Sequence, residues 1–348
     1  MKQRNHTFDL LCGICIIRMI VLHITDTCGF GKAEWWTEVM AWTYYFMSFF
    51  FFKAGYFNKT ISGNSRQYCI DKAKRLLVPY LTWGLIGNIV HFTFVWFILD
   101  PKSTVVKMTT WEHVWQTSSF FGNSPTWFLF SFFWAYIAMH FISKVRGLRW
   151  VVLAFPMISW WLYTEGNPLW LSLNNVFFGI FLFFLGRVWR WLMERMGSKL
   201  TLTVSVLLIG VFVWLNATWH GQYTMSANTW NGNCWIIVAS TVTSLCGISG
   251  LLIKLHTPLI PVINYIGEHS MVFFVAHYPI LQLYKLIRTA NVRSLRGHWD
   301  DYTILLMLIF GVCFLLVPYV EKVPWLSGRW PKKPKFLAED DSSSQKIS

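Results

Sequence analysis

Ten runs of mostly apolar residues, most of them near the 20 or so residues a helix needs to cross a bilayer, divide the chain at 8–26, 37–57, 76–99, 124–142, 150–164, 171–189, 200–217, 235–253, 262–287 and 301–320. The run at 150–164 is short, and the run at 262–287 carries a glycine and several polar groups. Only 13% of the 348 residues are charged and the mean hydropathy is +0.42, too little charge to cover a soluble globule of this length. The 30 Phe, 22 Trp and 13 Tyr exclude a disordered chain, and seven Cys are too few for a disulfide scaffold. The fold class expected is an all-α integral membrane protein of about ten transmembrane helices.

The net charge of +14 would point to nucleic acid in a soluble protein. In an apolar chain the basic residues mark topology instead, so no nucleic acid is expected. With the N-terminus in the cytoplasm, 21 of the 30 Lys and Arg fall on cytoplasmic segments and seven on the opposite side. This places both termini in the cytoplasm. The basic cluster at 285–296 is the exception and suggests a re-entrant segment or an anionic partner. Lys2 and Arg4 before an apolar run imitate a signal peptide, but no small-residue cleavage site follows and Asp9, Arg18 and His23 interrupt the run. Residues 1–330 read as one polytopic membrane domain, and 331–348, which include Lys332-Lys333-Pro334-Lys335 and Asp340-Asp341-Ser342-Ser343, as a disordered, dispensable cytoplasmic tail.

Ionisable residues inside a bilayer are expensive and mark function by default. The first run concentrates them. At about 100° per residue, Cys12 and His23 fall about 20° apart, and Asp9 and Asp26 within about 60° of His23. Arg18 lies on the other side, where pairing with a neighbouring helix is its plainest role. Cys12 and His23 are about 16 Å apart along the axis, so one face offers a polar column from the cytoplasmic end to mid-membrane or beyond. His23 reads either as a structural histidine or as a catalytic or translocating group. Lys53, near the cytoplasmic end of the second run, either snorkels to the headgroups or faces the mouth of that column. The basic loop 66–75, with Lys72, Lys74 and Arg75 before a helix start, suits a phosphate-rich ligand as well as positive-inside anchoring. His277 lies mid-span with Pro279 two residues on, while His269 reads as interfacial and structural. There is no Gly-rich phosphate loop and no Gly-x-Ser-x-Gly elbow. His23, His91 and His277 include no i, i+4 pair, so no metal is expected.

Five segments taken in order resemble the family-3 integral-membrane acyltransferases. They are Asp9-Leu10-Leu11-Cys12-Gly13 with His23 eleven residues after Cys12; Phe51-Phe52-Lys53-Ala54-Gly55-Tyr56; Arg75-Leu76-Leu77-Val78-Pro79-Tyr80; Ser124-Pro125-Thr126-Trp127-Phe128-Leu129; and Tyr265-Ile266-Gly267-Glu268-His269-Ser270 through His277-Tyr278-Pro279. The resemblance covers residues 7–320. It implies a multi-pass enzyme of the bacterial inner membrane, with acyl-CoA as co-substrate (acetyl-CoA first among donors) and a hydroxyl of a cell-envelope glycan or lipid-linked sugar as acceptor. On this reading His23, Asp26 and Asp9 would serve catalysis, Lys53, Lys72, Lys74 and Arg75 would hold the donor, and Trp127 and His277 would meet the acceptor. One departure stands out: Cys12 occupies the position of the family's basic residue, and Lys53, at about the same depth, is expected to supply the missing cation. A transporter or exporter of an anionic or glycan solute, and a catalytically inactive family member, are the competing readings.

Overall fold

A computed structural model of the chain describes residues 5–58, 64–98, 110–145, 147–166, 169–219, 221–255, 260–290 and 297–331. The expected tail, apart from Pro331, and Arg293 and Arg296 of the 285–296 cluster lie outside these residues. The fold is helical: α1 (His6–Thr27), α2 (Glu34–Thr43), α3 (Ser48–Phe57), α4 (Ser65–Ile98), α5 (Thr110–Thr117), α6 (Trp127–Ile142), α7 (Phe155–Thr164), α8 (Asn174–Arg195), α9 (Ser198–Trp219), α10 (Cys234–Lys254), α11 (Pro261–Glu268), α12 (Ser270–Ala290), α13 (Trp299–Val320) and α14 (Pro324–Ser327). A short antiparallel hairpin, β1 (Gln222–Thr224) and β2 (Thr229–Asn231), joins α9 to α10. Sequence periodicity gave no sign of it, because each strand is only three residues long.

Among the described residues, eight helices are long and apolar enough to cross a membrane. They coincide with eight of the ten apolar runs, and the chain is a multi-pass membrane protein. The other two runs are broken. In the run at 37–57, α2 gives way to a 3₁₀ turn at Tyr44–Phe46 before α3 begins. Thr43 turns its hydroxyl back onto the Val39 carbonyl at 2.5 Å, the Arg18 Nε donates to that hydroxyl at 3.0 Å, and the Tyr44 hydroxyl donates to the Ile237 carbonyl at 3.1 Å. These side-chain bonds fix the turn where apolar composition alone suggests continuity. In the run at 150–164, a 3₁₀ segment (Leu148–Ala154) precedes α7, whose first turn holds Pro156, a position where the missing N–H is no loss. The run at 262–287 is also divided, by a break at His269 between α11 and α12.

The segment 66–75, read from sequence as a basic loop, is instead the N-terminal part of α4. Gln, Lys, Arg and Ala are strong helix formers, so basic composition there does not interrupt the helix. Arg18 takes the structural place expected of it. It is 7% exposed, its guanidinium lies 4.1 Å from the Phe46 ring centroid and 5.3 Å from that of Trp36, and it ties α1 to α2. At the other end, Arg288 of the 285–296 cluster pairs with the buried Asp301 at 2.6 Å, and the Tyr284 hydroxyl donates to the same carboxylate oxygen at 2.6 Å, which fastens α12 to α13.

Two close backbone approaches set the frame around the site. A Cβ on Gly55 would sit 1.8 Å from the Phe183 carbonyl oxygen, and one on Gly186 would sit 2.0 Å from that of Phe52, so α3 and α8 cross backbone to backbone. Likewise Gly13 faces the Ile263 carbonyl and Gly267 faces that of Asp9, which presses α1 onto α11. Small residues at crossings are how helices associate where lipid removes the usual hydrophobic driving force.

Candidate active site: two chambers along one helix

A cavity of about 480 Å³ opens beside the N-terminal half of α1. Its rim carries four cations: Lys53 from α3, Lys72 and Arg75 from α4, and Arg329 from the segment after α14. Lys53 Nζ lies 2.9 Å from Cys12 Sγ and 3.9 Å from Asp9 Oδ1. Lys72 Nζ stands 3.5 Å from the Tyr136 ring centroid and 5.4 Å from that of Tyr68, a cation held on aromatic faces. Arg329 is steadied by Glu321, Nη1 to Oε2 at 2.5 Å, and the other oxygen of that carboxylate meets His269 Nδ1 at 2.5 Å. The floor is aromatic and includes Phe128, Phe132 and Phe274. Cations converging over an apolar floor suit a ligand that is anionic at one end and apolar at the other.

A second chamber of about 90 Å³ lies further along α1. Met19 and His23 of α1, Phe46 and Met47 at the turn into α3, Trp127 of α6 and residues 222–226 of the hairpin form its walls. The His23 ring stacks on that of His277, centroids 5.3 Å apart with planes at 28°, and meets the edge of Tyr278 at 5.2 Å. His277 Nδ1 lies 2.7 Å from the Phe274 carbonyl oxygen and 3.1 Å from that of Phe273. A carbonyl can only accept, so Nδ1 carries the proton and Nε2 holds the lone pair. That Nε2 is buried and has no hydrogen-bond partner among the described residues. Pro279 accounts for the neighbouring backbone. It removes the N–H that would have bonded the Val275 carbonyl, and Asn123 Nδ2 donates to that oxygen instead at 2.9 Å.

The two chambers share an axis. Cys12, Ile16, Met19 and His23 sit at i, i+4, i+7 and i+11, one stripe of α1; the first two face the larger cavity and the last two the smaller. Phe274 of α12 is a wall of both. The column expected to be polar is therefore polar at its two ends and apolar at the neck between them, where Ile16 lines the larger chamber, Met19 the smaller and Phe274 both.

Of the residues singled out in the sequence, the structure brings Lys53, Lys72 and Arg75 together around the first cavity and His23 and Trp127 around the second. Asp9 is buried beside Lys53, about four turns from His23. Asp26 is exposed and lines neither chamber. Lys74 points away, 5.5 Å from the Trp330 ring centroid. His277 lies behind His23 rather than on a chamber wall. Arg329, Tyr136 and Phe274 were missed. Arg329 sits just before a stretch that reads as tail, and Tyr136 and Phe274 are indistinguishable in sequence from the many aromatics around them. Among the described residues, no three His, Cys, Asp or Glu side chains group as a metal site would require.

A search of curated proteins and a search of solved structures each gave no match. A family model, the acyltransferase domain Acyl_transf_3, matches residues 5–318. That is nearly the whole length, and it contains both chambers except for the Arg329 segment: the chain belongs to acyltransferase family 3 and is a membrane acyltransferase.

Proposed function

We propose that the chain moves an acyl group, acetyl first among candidates, from acyl-CoA to a hydroxyl of a cell-envelope glycan or lipid-linked sugar, in the inner membrane of a bacterium and with both termini in the cytoplasm. One observation carries the reading: a cation-rimmed cavity and an imidazole-lined chamber lie on one stripe of α1 and share the wall at Phe274. Lys53, Lys72, Arg75 and Arg329 suit the phosphates of a CoA, and the aromatic floor suits its arm.

The acyl end leads the donor toward His23. The acceptor enters the smaller chamber from the hairpin side. The His23 imidazole takes the hydroxyl proton as the oxygen attacks the thioester carbonyl. A C–O bond forms, the C–S bond breaks, and CoA leaves as a thiolate that recovers the proton from the imidazolium. The products are the ester and free CoA, and base catalysis by a positioned histidine contributes about 10²–10⁴-fold. Transient transfer of the acyl group to His23 itself would divide the same reaction into two steps.

The test is free CoA, measured by mass spectrometry, released from acetyl-CoA by membranes holding the chain. Release is expected from the wild type, and His23→Ala at equal membrane abundance should lose about 10²–10⁴-fold. Surface glycans of a deletion strain should lack an acetyl mark that the parent carries. No CoA release, with unchanged glycans, would favour a transporter.

A further inference from the structure

We infer that Phe274 sets the acyl-chain length this enzyme accepts, restricting transfer to the shortest acyl groups. The inference rests on the acyl-CoA reading above and adds a specificity-determining residue to it. The donor cavity, at about 480 Å³, has room for a long chain, whereas the chamber at His23 has about 90 Å³. The acyl group is the leading end of the donor. For its carbonyl to reach the imidazole, everything beyond that carbonyl must already lie past the neck, inside the smaller chamber. The neck is where the Phe274 ring stands, 3% exposed and common to both walls.

Selection requires a ring that does not give way, and the backbone here is clamped. The Phe274 carbonyl accepts from His277 Nδ1 at 2.7 Å. The next carbonyl, Val275, accepts from Asn123 at 2.9 Å. The ring itself leans on Phe128, centroids 5.3 Å apart at 60°. A side chain whose backbone is held by two side-chain bonds and whose face rests on a second ring is a fixed wall, and a fixed wall discriminates by size. One methylene too many at such a wall reduces kcat/KM by roughly 10–200-fold.

The experiment measures kcat/KM for CoA release from acetyl-, butyryl- and octanoyl-CoA with the full chain in nanodiscs. Wild type should prefer acetyl- over butyryl-CoA by at least roughly tenfold and leave octanoyl-CoA untouched. Phe274→Ala should raise the butyryl-to-acetyl ratio at least tenfold. Phe274→Leu, which keeps most of the volume and so guards against misfolding, should raise it less; Phe274→Trp should lower it. If wild type turns over octanoyl-CoA as readily as acetyl-CoA, or if acetyl-CoA is turned over and the well-folded Ala and Leu variants keep the wild-type ratio, the inference is wrong while the acyl-CoA reading stands. If none of the three thioesters is turned over, the acyl-CoA reading fails and the inference falls with it.

Discussion

Lys53 Nζ lies 2.9 Å from Cys12 Sγ, so a lysine from α3 occupies the neighbourhood of the α1 position where the family resemblance leads one to expect a basic residue. The same ammonium is 3.9 Å from the buried Asp9 carboxylate. Removing Lys53 would strip the cavity of one cation and take from Asp9 its nearby positive charge. Lys53→Ala should therefore raise KM for the acyl-CoA roughly 10- to 150-fold, the range of a lost charge-assisted bond, with a smaller change in kcat. Cys12→Arg introduced into that variant should restore much of the loss, because it returns a cation to the same spot from the opposite helix. Steady-state kinetics of CoA release decide it. A double variant no better than Lys53→Ala would mean that Lys53 acts through something other than its charge.

Much of this arrangement could be read in the sequence because membrane insertion penalises polar groups so strongly. His23, Lys53 and Arg75 stand out for being charged or titratable within or beside apolar runs, and helical periodicity alone places Cys12 and His23 on one face. What escaped notice has equally physical reasons. The break at Tyr44–Phe46 is fixed by hydrogen bonds from Arg18 to Thr43 and from Tyr44 to the Ile237 carbonyl, partners that only the fold brings near. Arg329 reaches the cavity because a carbonyl near Pro79 is open to packing: the Gly328 Cα side lies against the Arg75 carbonyl, with 2.3 Å from an added Cβ to that oxygen. Phe274 is one of 30 phenylalanines, and its position at the neck follows from the several elements that converge there rather than from any local pattern.

The His23–His277 stack separates two roles that one histidine could combine. His277→Phe keeps a flat ring of similar size against His23 but removes the Nε2 lone pair and the Nδ1–H bonds to the Phe273 and Phe274 carbonyls. If the nitrogen matters, turnover should fall about fivefold while membrane abundance is preserved, since a neutral hydrogen bond is worth about 1 kcal/mol net. His277→Ala, which also leaves a cavity behind His23, should reduce both turnover and thermal stability. Equal turnover for wild type and His277→Phe would confine His277 to packing.

Gly55→Ala tests whether the crossing of α3 over α8 positions Lys53. The added methyl would lie 1.8 Å from the Phe183 carbonyl oxygen, which is backbone and cannot rotate away. The helices must separate, and overpacking of this kind costs about 1–3 kcal/mol or more. Because Lys53 is two residues from the crossing, its ammonium should be displaced from Cys12 as well. The expected outcome is a lower melting temperature in detergent, followed by tryptophan fluorescence, together with a raised KM for acyl-CoA. Gly210→Ala, where nothing lies within 4 Å, is the matched control and should change neither.

The segment from Glu321 to Trp330 is bonded along one side of the larger cavity like a strap, and truncation should expose the difference between strap and tail. Glu321 bridges His269 and Arg329, the Trp83 indole donates to the Leu326 carbonyl at 2.9 Å, and the Trp330 indole donates to the Lys74 carbonyl at 3.0 Å. Ser327 and Arg329 are themselves walls of the cavity. Ending the chain after Pro331 leaves all of these bonds in place and should leave CoA release unchanged. Ending it after Lys322 removes the Arg329 cation, orphans the Trp83 donor and opens one side of the cavity to water, where charge-assisted bonds to phosphate weaken. KM for acyl-CoA should then rise at least tenfold and become more sensitive to salt, since the remaining cations would be screened. Arg329→Gln in the full chain should reproduce the rise in KM without the loss of stability expected from removing the two tryptophan bonds, which separates the charge of the strap from its packing.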